Sequence, residues 1–333
     1  MQAVVMTRTG GPEVLEVRSL PVPELPGPHH IRVRLHAAGV NPVDTKLRAN
    51  GTYYPERLPA ILGCDGAGVV EAVGERVTRF QVGDKAYFCN GGIGAEQGNY
   101  ATYNTLHEEY AARMPASLDF VQAAAVPLVF ITAWEALHDR ARIQSGDRVL
   151  IHAAAGGVGH VAVQLALLAG ARVAATVGDT AKTQFVRDLG AERVIEYKKE
   201  DFVPAVLDWT DGAGADITFD TVGAATFCKS FAATRVYGQV VTLLQASCDS
   251  GDMKLARLRN QGIHYELMLT PQFLKLHAAR VYQRKLLEQA AELIEAGKLV
   301  VRVSDVLGLS AAAEAHRRIG EGHTLGKIVL RID

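Results

Sequence analysis

The sequence predicts an α/β protein of two domains: a first built from short strands, and a second built on a doubly wound parallel sheet. Three observations predict it. Residues 1–122 alternate brief strand patterns with turn signals. From residue 123 onward, helical patterns alternate with short apolar runs. At residues 148–169 an apolar run enters a glycine-rich turn that opens a helix, the start of a βαβ unit. The length of 333 residues suits two domains.

The elements follow in order. Ile31, Val33 and Leu35 alternate with Arg32, Arg34 and His36, the period of a half-buried strand. Residues 14–17, 67–73 and 85–88 read the same way. Gly10-Gly11-Pro12, the prolines of 21–28, Asn41-Pro42 and the glycines of 91–98 separate them as turns. A barrel-like β domain is expected. Next come strand 148–153, helix 158–169, strand 172–177, helix 180–189 and strand 193–196. Helix 202–209, strand 216–220, helix 224–234 and strand 236–244 complete the expected parallel sheet. After Pro271 a single long helix is expected over 272–296, closed by Gly297, and a last strand over 327–332 returns to the first domain. The expected division is 1–122, 123–270 and 271–333.

Composition excludes several classes. Hydrophobic residues are 48% and charged residues 21%, which argues against disorder, collagen and coiled coil. A net charge of −1 gives no bulk attraction to a phosphate backbone, so no nucleic-acid partner is expected. The apolar stretch 123–134 is too short to span a bilayer and holds Pro127, so no membrane partner is expected. MQAVVMTRTG lacks the pattern of a signal peptide. Cys64, Cys89, Cys228 and Cys248 form no C-x-x-C pair, which argues against a disulfide framework and a Cys-rich zinc lobe. The eleven histidines are scattered. His152, at a strand end, reads as structural. A soluble cytoplasmic protein is expected.

The strongest local signal is Ala154-Ala155-Gly156-Gly157-Val158-Gly159, a G-x-G-x-x-G loop with Ala in its first place. Such a loop lets backbone approach a pyrophosphate that rests on the helix N-terminus. The second strand of such a Rossmann sheet usually ends in a carboxylate that holds a ribose 2′-OH. Here it ends in Val177-Gly178, with Asp179 one step late, Lys182 beyond it and Tyr197 after the third strand. This set favours a 2′-phosphate, hence NADPH. The alternatives stay open: Lys182 as a solvated first-turn residue, Tyr197 as a packed aromatic.

GVNPVDTK (39–46), GCDGAGVVEAVG (63–74), VGDKAY (82–87), GNYATY (98–103), HAAAGGVGHVAVQLA (152–166) and GKIVL (326–330) occur in this order. Together they resemble the medium-chain dehydrogenase/reductase superfamily, in its zinc-free quinone oxidoreductase (zeta-crystallin-like) branch. The resemblance covers essentially the whole chain. It implies a GroES-like catalytic domain, an inserted Rossmann domain, a cleft between them, and a C-terminal segment that completes the catalytic domain. It also implies that Asn41 lies at the nicotinamide and substrate end, that Thr132 contacts the nicotinamide side, and that Val222 and Leu244 join Ala154, Gly156, Gly157, Val158, Gly159, Gly178, Lys182 and Tyr197 in holding the cofactor. Asn41 could instead be only a turn former before Pro42.

Zinc-containing relatives carry three ligands, where this chain has Asn41, then Cys64-Asp65, and only Pro127 near the third place. A catalytic zinc needs three protein ligands, so none is expected. Cys64 reads as a small buried hydrophobe. Without a Lewis acid, simple ketones are poor acceptors, while quinones and conjugated alkenes spread the charge themselves. Related enoyl thioester reductases place a proton-donating Tyr in a G-x-Y-P segment. Here Gly51-Thr52-Tyr53-Tyr54-Pro55 offers two, with one more residue after Asn41 than that spacing, and Tyr53 is the candidate. The same rings could simply wall a flat substrate. Leu244, Met268 and Phe273 suggest an apolar pocket.

No G-x-S-x-G elbow, P-loop or zinc-protease helix is present: Gly326-Lys327 is followed by Ile328, and His107-Glu108 lacks a second His at the right spacing. The leading reading is an NADPH-dependent, metal-free reductase of quinones or activated alkenes. An enoyl thioester or enone reductase is the enzymatic alternative, and a non-catalytic NADPH-binding protein is the alternative of another class. A homodimer is expected, because HYELML (264–269) reads as an apolar sheet edge that needs a partner.

Overall fold

The computed structural model describes residues 1–245, 247–322 and 324–333. Two units divide the chain: 1–131 with 269–333, and 132–268. In chain order the first unit opens with β1 (Gln2–Met6), β2 (Leu15–Ser19), β3 (His30–Val40), α1 (Pro42–Asn50), β4 (Ala60–Ile61), β5 (Asp65–Val73), β6 (Lys85–Cys89), β7 (Tyr103–His107), β8 (Ala112–Arg113) and α2 (Phe120–Ala124). Helix α3 (Pro127–Trp134) crosses the division. The second unit holds β9 (Arg148–Ile151), α4 (Gly157–Leu168), β10 (Arg172–Val177), α5 (Thr180–Asp188), β11 (Arg193–Glu196), α6 (Phe202–Trp209), β12 (Ala215–Asp220), α7 (Ala224–Ala233), β13 (Thr234–Thr242), α8 (Ser250–Leu258) and β14 (Gly262–Tyr265). The first unit then resumes with α9 (Thr270–Phe273), α10 (His277–Glu295), β15 (Val303–Gly308), α11 (Ala312–Glu321) and β16 (Lys327–Arg331).

In the first unit β3 alternates buried and part-exposed residues until Ala37, where the chain dives inward and both faces are covered. It pairs antiparallel with β5, β7 and β16, so residues from the two ends of the chain meet on one strand. Gly39 sits opposite Asp65 there. A Cβ on Gly39 would lie 2.4 Å from the Ala124 carbonyl and 2.8 Å from Asp65 Oδ2, so only glycine admits that carboxylate.

The second unit is a six-stranded parallel sheet in the order β11-β10-β9-β12-β13-β14. Val149, Leu150, Ile151, Val173, Ala174, Ala175, Ile217 and Phe219 are buried, as expected for strands covered by helices on both faces. His152 ends β9 fully buried, its ring nitrogens each 3.1 Å from the hydroxyls of Thr176 and Ser230. Burial, the larger cause, pulls its pKa down to about 4 against some opposition from Asp220. The folded imidazole is therefore neutral where the unfolded one is charged. Between about pH 6.5 and 4 the unfolded chain binds the extra proton, so this contribution is present above pH 6.5 and is lost as pH falls. His152→Gln should flatten the fall of stability across that window, by up to about 1.4 kcal/mol for each pKa unit. Denaturation midpoints from pH 4 to 7 test this; an unchanged slope would refute it.

Several expectations need correction. Pro12 starts a 3-10 turn through Val14, so the strand begins at Leu15. Residues 272–296 are not one helix: α9 stops at Phe273, Lys275 takes a positive φ of 56°, and α10 starts at His277. The edge strand β14 ends at Tyr265. Tyr265 and Leu267 are exposed, but Met268 and Leu269 are buried, and Glu266 is buried on Arg140 at 2.8 Å, so 264–269 is no continuous exposed apolar edge. Cys228 and Cys248 form a disulfide, because α7 and the segment after β13 bring residues twenty positions apart together. The histidines are not all scattered: the rings of His29, His30 and His277 each lie within 5.7 Å of that of His107.

Candidate functional site

The first unit builds a buried polar lattice where β3 turns into α1. Asn-Pro-x-Asp is a helix start. Asn41 N–H donates to Asp44 Oδ2 at 2.9 Å, and Asp44 N–H donates to the Asn41 carbonyl at 3.0 Å. The Asn41 amide then points inward and is used at both ends. Its Nδ2 donates to Asp65 Oδ2 at 2.9 Å, and its Oδ1 accepts from Lys327 Nζ. Lys327 also reaches the Val40 carbonyl at 3.2 Å and Asp65 Oδ2 at 3.3 Å. Asp65 Oδ1 accepts from Leu128 N–H at 2.8 Å, which anchors the start of α3. Asn41 is thus a turn former and also the bridge between a buried anion and a buried cation.

A second carboxylate, Asp44, lies beside this lattice. Burial first, and then the charge of Asp65, push its pKa up to about 6, against the Asn41 amide, Lys327 and Tyr100, which favour the ionised form. Tyr100 O–H donates to Asp44 Oδ2 at 3.1 Å, and its oxygen lies 3.1 Å from His316 Nε2. Burial, then the charge of Arg48, pulls His316 down to about 3, so the ring is neutral. A proton on Nε2 lets His316 donate to Tyr100 while Tyr100 donates to Asp44. Cys64 Sγ donates to Asp44 Oδ1 at 3.6 Å; its neighbour Cys89 and then burial hold its thiol well above the usual range. Cys64 is fully buried and protonated, so it serves as a weak donor as well as a small apolar group.

The loop after α1 carries the two tyrosines. Tyr54 O–H donates to the Phe273 carbonyl at 2.9 Å, which engages that hydroxyl. The Tyr53 ring packs on Phe273 with centroids 4.9 Å apart, and its hydroxyl has no hydrogen-bond partner among the described residues. Burial raises the Tyr53 phenol pKa, so it holds its proton at neutral pH.

In the second unit Gly156 is the N-cap of α4 and supplies no capping side chain. The amides of the first turn, at Gly157, Val158 and Gly159, therefore lack the usual side-chain acceptor and suit an anion. A Cβ on Gly159 would lie 2.4 Å from the Ala153 carbonyl and 2.7 Å from Ala154 Cα, so glycine is what lets α4 approach β9. Ala154 is fully buried and donates its N–H to the Thr176 carbonyl at 3.0 Å.

At the end of β10, a Cβ on Gly178 would lie 3.1 Å from the Tyr197 hydroxyl, which stands over the backbone there. Tyr197 is 55% exposed, too open for a packed core aromatic. Asp179 is the N-cap of α5: Oδ1 accepts from Lys182 N–H at 2.9 Å, and Oδ2 lies 3.8 Å from Lys182 Nζ. The carboxylate that stood one step late is occupied in holding its own helix. Val222 and Leu244 flank the ends of β12 and β13. Buried Asp220 orders that corner by accepting from Val222 N–H at 3.0 Å, from Gly223 N–H at 2.9 Å and from Thr242 O–H at 2.7 Å. Leu244 packs on Gly223, and Thr132 is buried in α3.

All the expected nucleotide residues except Asn41 and Thr132 thus gather at the carboxyl ends of the parallel strands, where such sheets bind ligands. Asn41 and Tyr53 belong to the other unit. Sequence reasoning gave no role to Asp44, Tyr100, His316 or Asp220, and placed Lys327 in the GKIVL motif of the last strand without a role beyond rejecting it as a P-loop lysine. The helix-start pattern of Asn41-Pro42-Val43-Asp44 was the available signal for Asp44.

Residues 27–116 match the alcohol dehydrogenase GroES-like domain, and residues 189–330 match the zinc-binding dehydrogenase family. The chain is 37% identical over 324 residues to a quinone oxidoreductase of Pseudomonas aeruginosa, covering 96% of each. It is 33% identical to a 2-haloacrylate reductase of a Burkholderia species, covering 99% of this chain and 98% of the relative. Among solved structures it superimposes with a TM-score of 0.88 and 28% identity on Escherichia coli quinone oxidoreductase complexed with NADPH, covering 99% of this chain and all of that one.

Proposed function

The chain belongs to the quinone oxidoreductase family of medium-chain dehydrogenases/reductases, and we propose that it is an NADPH-dependent reductase that delivers hydride to quinones or activated alkenes without a metal ion. The observation that carries this is the pair of features at the ends of β9 and β10. A glycine-headed helix offers uncapped amides to a pyrophosphate. Beside it, the Tyr197 hydroxyl stands over Gly178 and Lys182 lies in the first turn of α5, groups suited to a 2′-phosphate, while the two nearby carboxylates are engaged, Asp179 as the α5 cap and Glu196 with Lys199 and Thr180. The P. aeruginosa and E. coli relatives support the quinone reading, and the haloacrylate reductase supports alkenes carrying an electron-withdrawing group.

When bound, the dihydronicotinamide of NADPH supplies the hydride. Gly156, Gly157, Val158 and Gly159 would hold the pyrophosphate with their backbone. Val222 and Leu244, fixed by Asp220 and Gly223, and Thr132 would border the nicotinamide end. The Tyr53 and Phe273 rings offer an apolar wall to a flat acceptor, and the protonated Tyr53 hydroxyl donates toward the oxygen on which charge develops. Asn41, held by Asp65 and Lys327, keeps the start of α1 and the loop after it in place. The metal-free reading rests on the same lattice: the Asn41 amide is engaged at both ends, and Cys64 is a protonated thiol held against Asp44 and Cys89.

A panel of quinones, enones, haloacrylates and acyl thioesters, run with and without a strong chelator, tests the proposal. Turnover with a quinone or an activated alkene, unchanged by chelation, is expected. Binding of NADPH without turnover of any acceptor would make it a non-catalytic binding protein. Activity lost with the chelator would overturn the metal-free reading.

No described helix is long and apolar enough to cross a membrane, and a cytoplasmic location is part of the same proposal. So is a homodimer. Strand β14 is a sheet edge, with Tyr265 exposed on it and Leu267 just beyond, and pairing with a second copy would satisfy its open backbone groups. Solution scattering at micromolar concentration should give twice the chain mass; Tyr265→Pro should give a monomer. A wild-type monomer would refute the dimer.

A further inference from the structure

Cys228 stands on α7, Cys248 lies in the segment between β13 and α8, and the two are joined as a disulfide. Asp252 follows in the first turn of α8. The two sulfurs and a carboxylate oxygen of Asp252 all lie within 4.8 Å of one another. The Ser247 carbonyl is 3.7 Å from Cys228 Sγ. Asp252 donates its N–H to the Asp249 cap at 2.8 Å, but its carboxylate has no hydrogen bond or ion pair among the described residues. None of these residues belongs to the cofactor or acceptor machinery described above.

Two thiols, a free carboxylate and a backbone carbonyl are the donor set of a thiophilic divalent cation, and zinc accepts sulfur and oxygen ligands together. The sulfurs are seated among Phe227, Phe231, Val240 and Ala256, which limits water and strengthens the pull on a cation. Disulfides rarely persist in a reducing compartment, where this pair would stand as thiols. We propose that Cys228, Cys248 and Asp252 form a redox-gated metal site, closed as a disulfide when oxidised and holding one zinc-class cation when reduced.

The chemistry balances. A dithiol reductant gives two electrons and two protons; the S–S bond breaks, Cys228 and Cys248 become thiols, and the reductant leaves as its own disulfide. The cation then displaces both thiol protons, so each ion bound releases two protons. Oxidation by a disulfide of the same class expels the cation and reforms the S–S bond. In either closed state the segment that carries Leu244 is tied to α7.

Cobalt(II) is the probe, titrated into the full-length protein under anaerobic conditions. The reduced protein should take up one equivalent per chain with a sulfur-to-cobalt charge-transfer band, and zinc should erase that band. The oxidised protein should show no band. Cys228→Ser should abolish it while leaving Cys64 and Cys89 in place as an internal control. Asp252→Asn keeps both thiols and the α8 backbone, and should weaken cobalt by at least ~10-fold, since loss of a mere hydrogen-bond partner of a ligand already costs that much. A reduced wild type that binds no more cobalt than Cys228→Ser overturns the site. So does an Asp252→Asn variant that binds as tightly as wild type.

Discussion

Replacing Lys327 with Met should destabilise the catalytic unit by about 3–5 kcal/mol, the usual cost of leaving a buried charge without its partner. Lys327 is 3% exposed and Asp65 is not exposed at all, so water cannot take over the lost interaction. Without the ammonium, Asp65 keeps, among the described residues, the Asn41 amide and Leu128 N–H, two neutral donors. A second change tests the cause. Adding Asp65→Asn removes the stranded charge, and the new amide can still accept from Leu128 N–H. Once Lys327 is gone, the Asn41 amide is free to turn its oxygen toward that new amide. The double variant should therefore regain more than half of the loss, although it removes one more native group. Urea denaturation with unchanged m-values gives the comparison. If Lys327→Met costs under about 1 kcal/mol, or if the double variant is simply the sum of the two singles, the lattice is not held by charge.

The lattice also marks the limit of what the sequence discloses. The elements of the parallel sheet were legible: 172–177, 193–196 and 202–209 have the bounds expected, because doubly covered strands and amphipathic helices leave long one-dimensional patterns. The glycines around Gly156 were legible for the same reason, since turn and helix follow one another directly in the chain. Asn41 was legible as a residue that matters, but not its purpose. Its partners stand 24 and 286 positions away, and only the pairing of β16 and β5 with β3 brings them together. The break before α10 was hidden because Lys275 is no helix breaker by type; it takes a positive φ so that the chain can turn between Phe273 and His277. The Cys228–Cys248 bond left no motif, since tertiary packing alone closes it. What two tyrosines side by side could not reveal was which one has a free hydroxyl. Tyr54 spends its proton on the Phe273 carbonyl, which leaves Tyr53.

Cofactor choice carries the other large expected effect. Lys182→Ala should weaken NADPH binding by roughly 10- to 150-fold and leave NADH nearly unchanged, because hydrogen bonds to a charged group contribute ~1.5–3 kcal/mol. Tyr197 donates its backbone N–H to the Val177 carbonyl at 3.1 Å, which fixes its ring against the end of β10, and its hydroxyl stands over Gly178. Tyr197→Phe removes only that hydroxyl and should weaken NADPH more mildly. The ammonium of Lys182 now rests beside Asp179 at a loose 3.8 Å, so a phosphate competes with a weak pair. Asp179→Asn should therefore strengthen NADPH: the amide oxygen can still cap α5 through Lys182 N–H, while the negative charge next to the phosphate is gone. Raising salt should narrow the NADPH advantage only modestly, because the Lys182 side chain is 14% exposed and covered charges are screened less than open ones. Direct titration of wild type and the three variants with both nucleotides decides the matter. If wild type binds the two alike and Lys182→Ala shifts them equally, the ammonium is a surface group of α5, and the 2′-phosphate has no site at the end of β10.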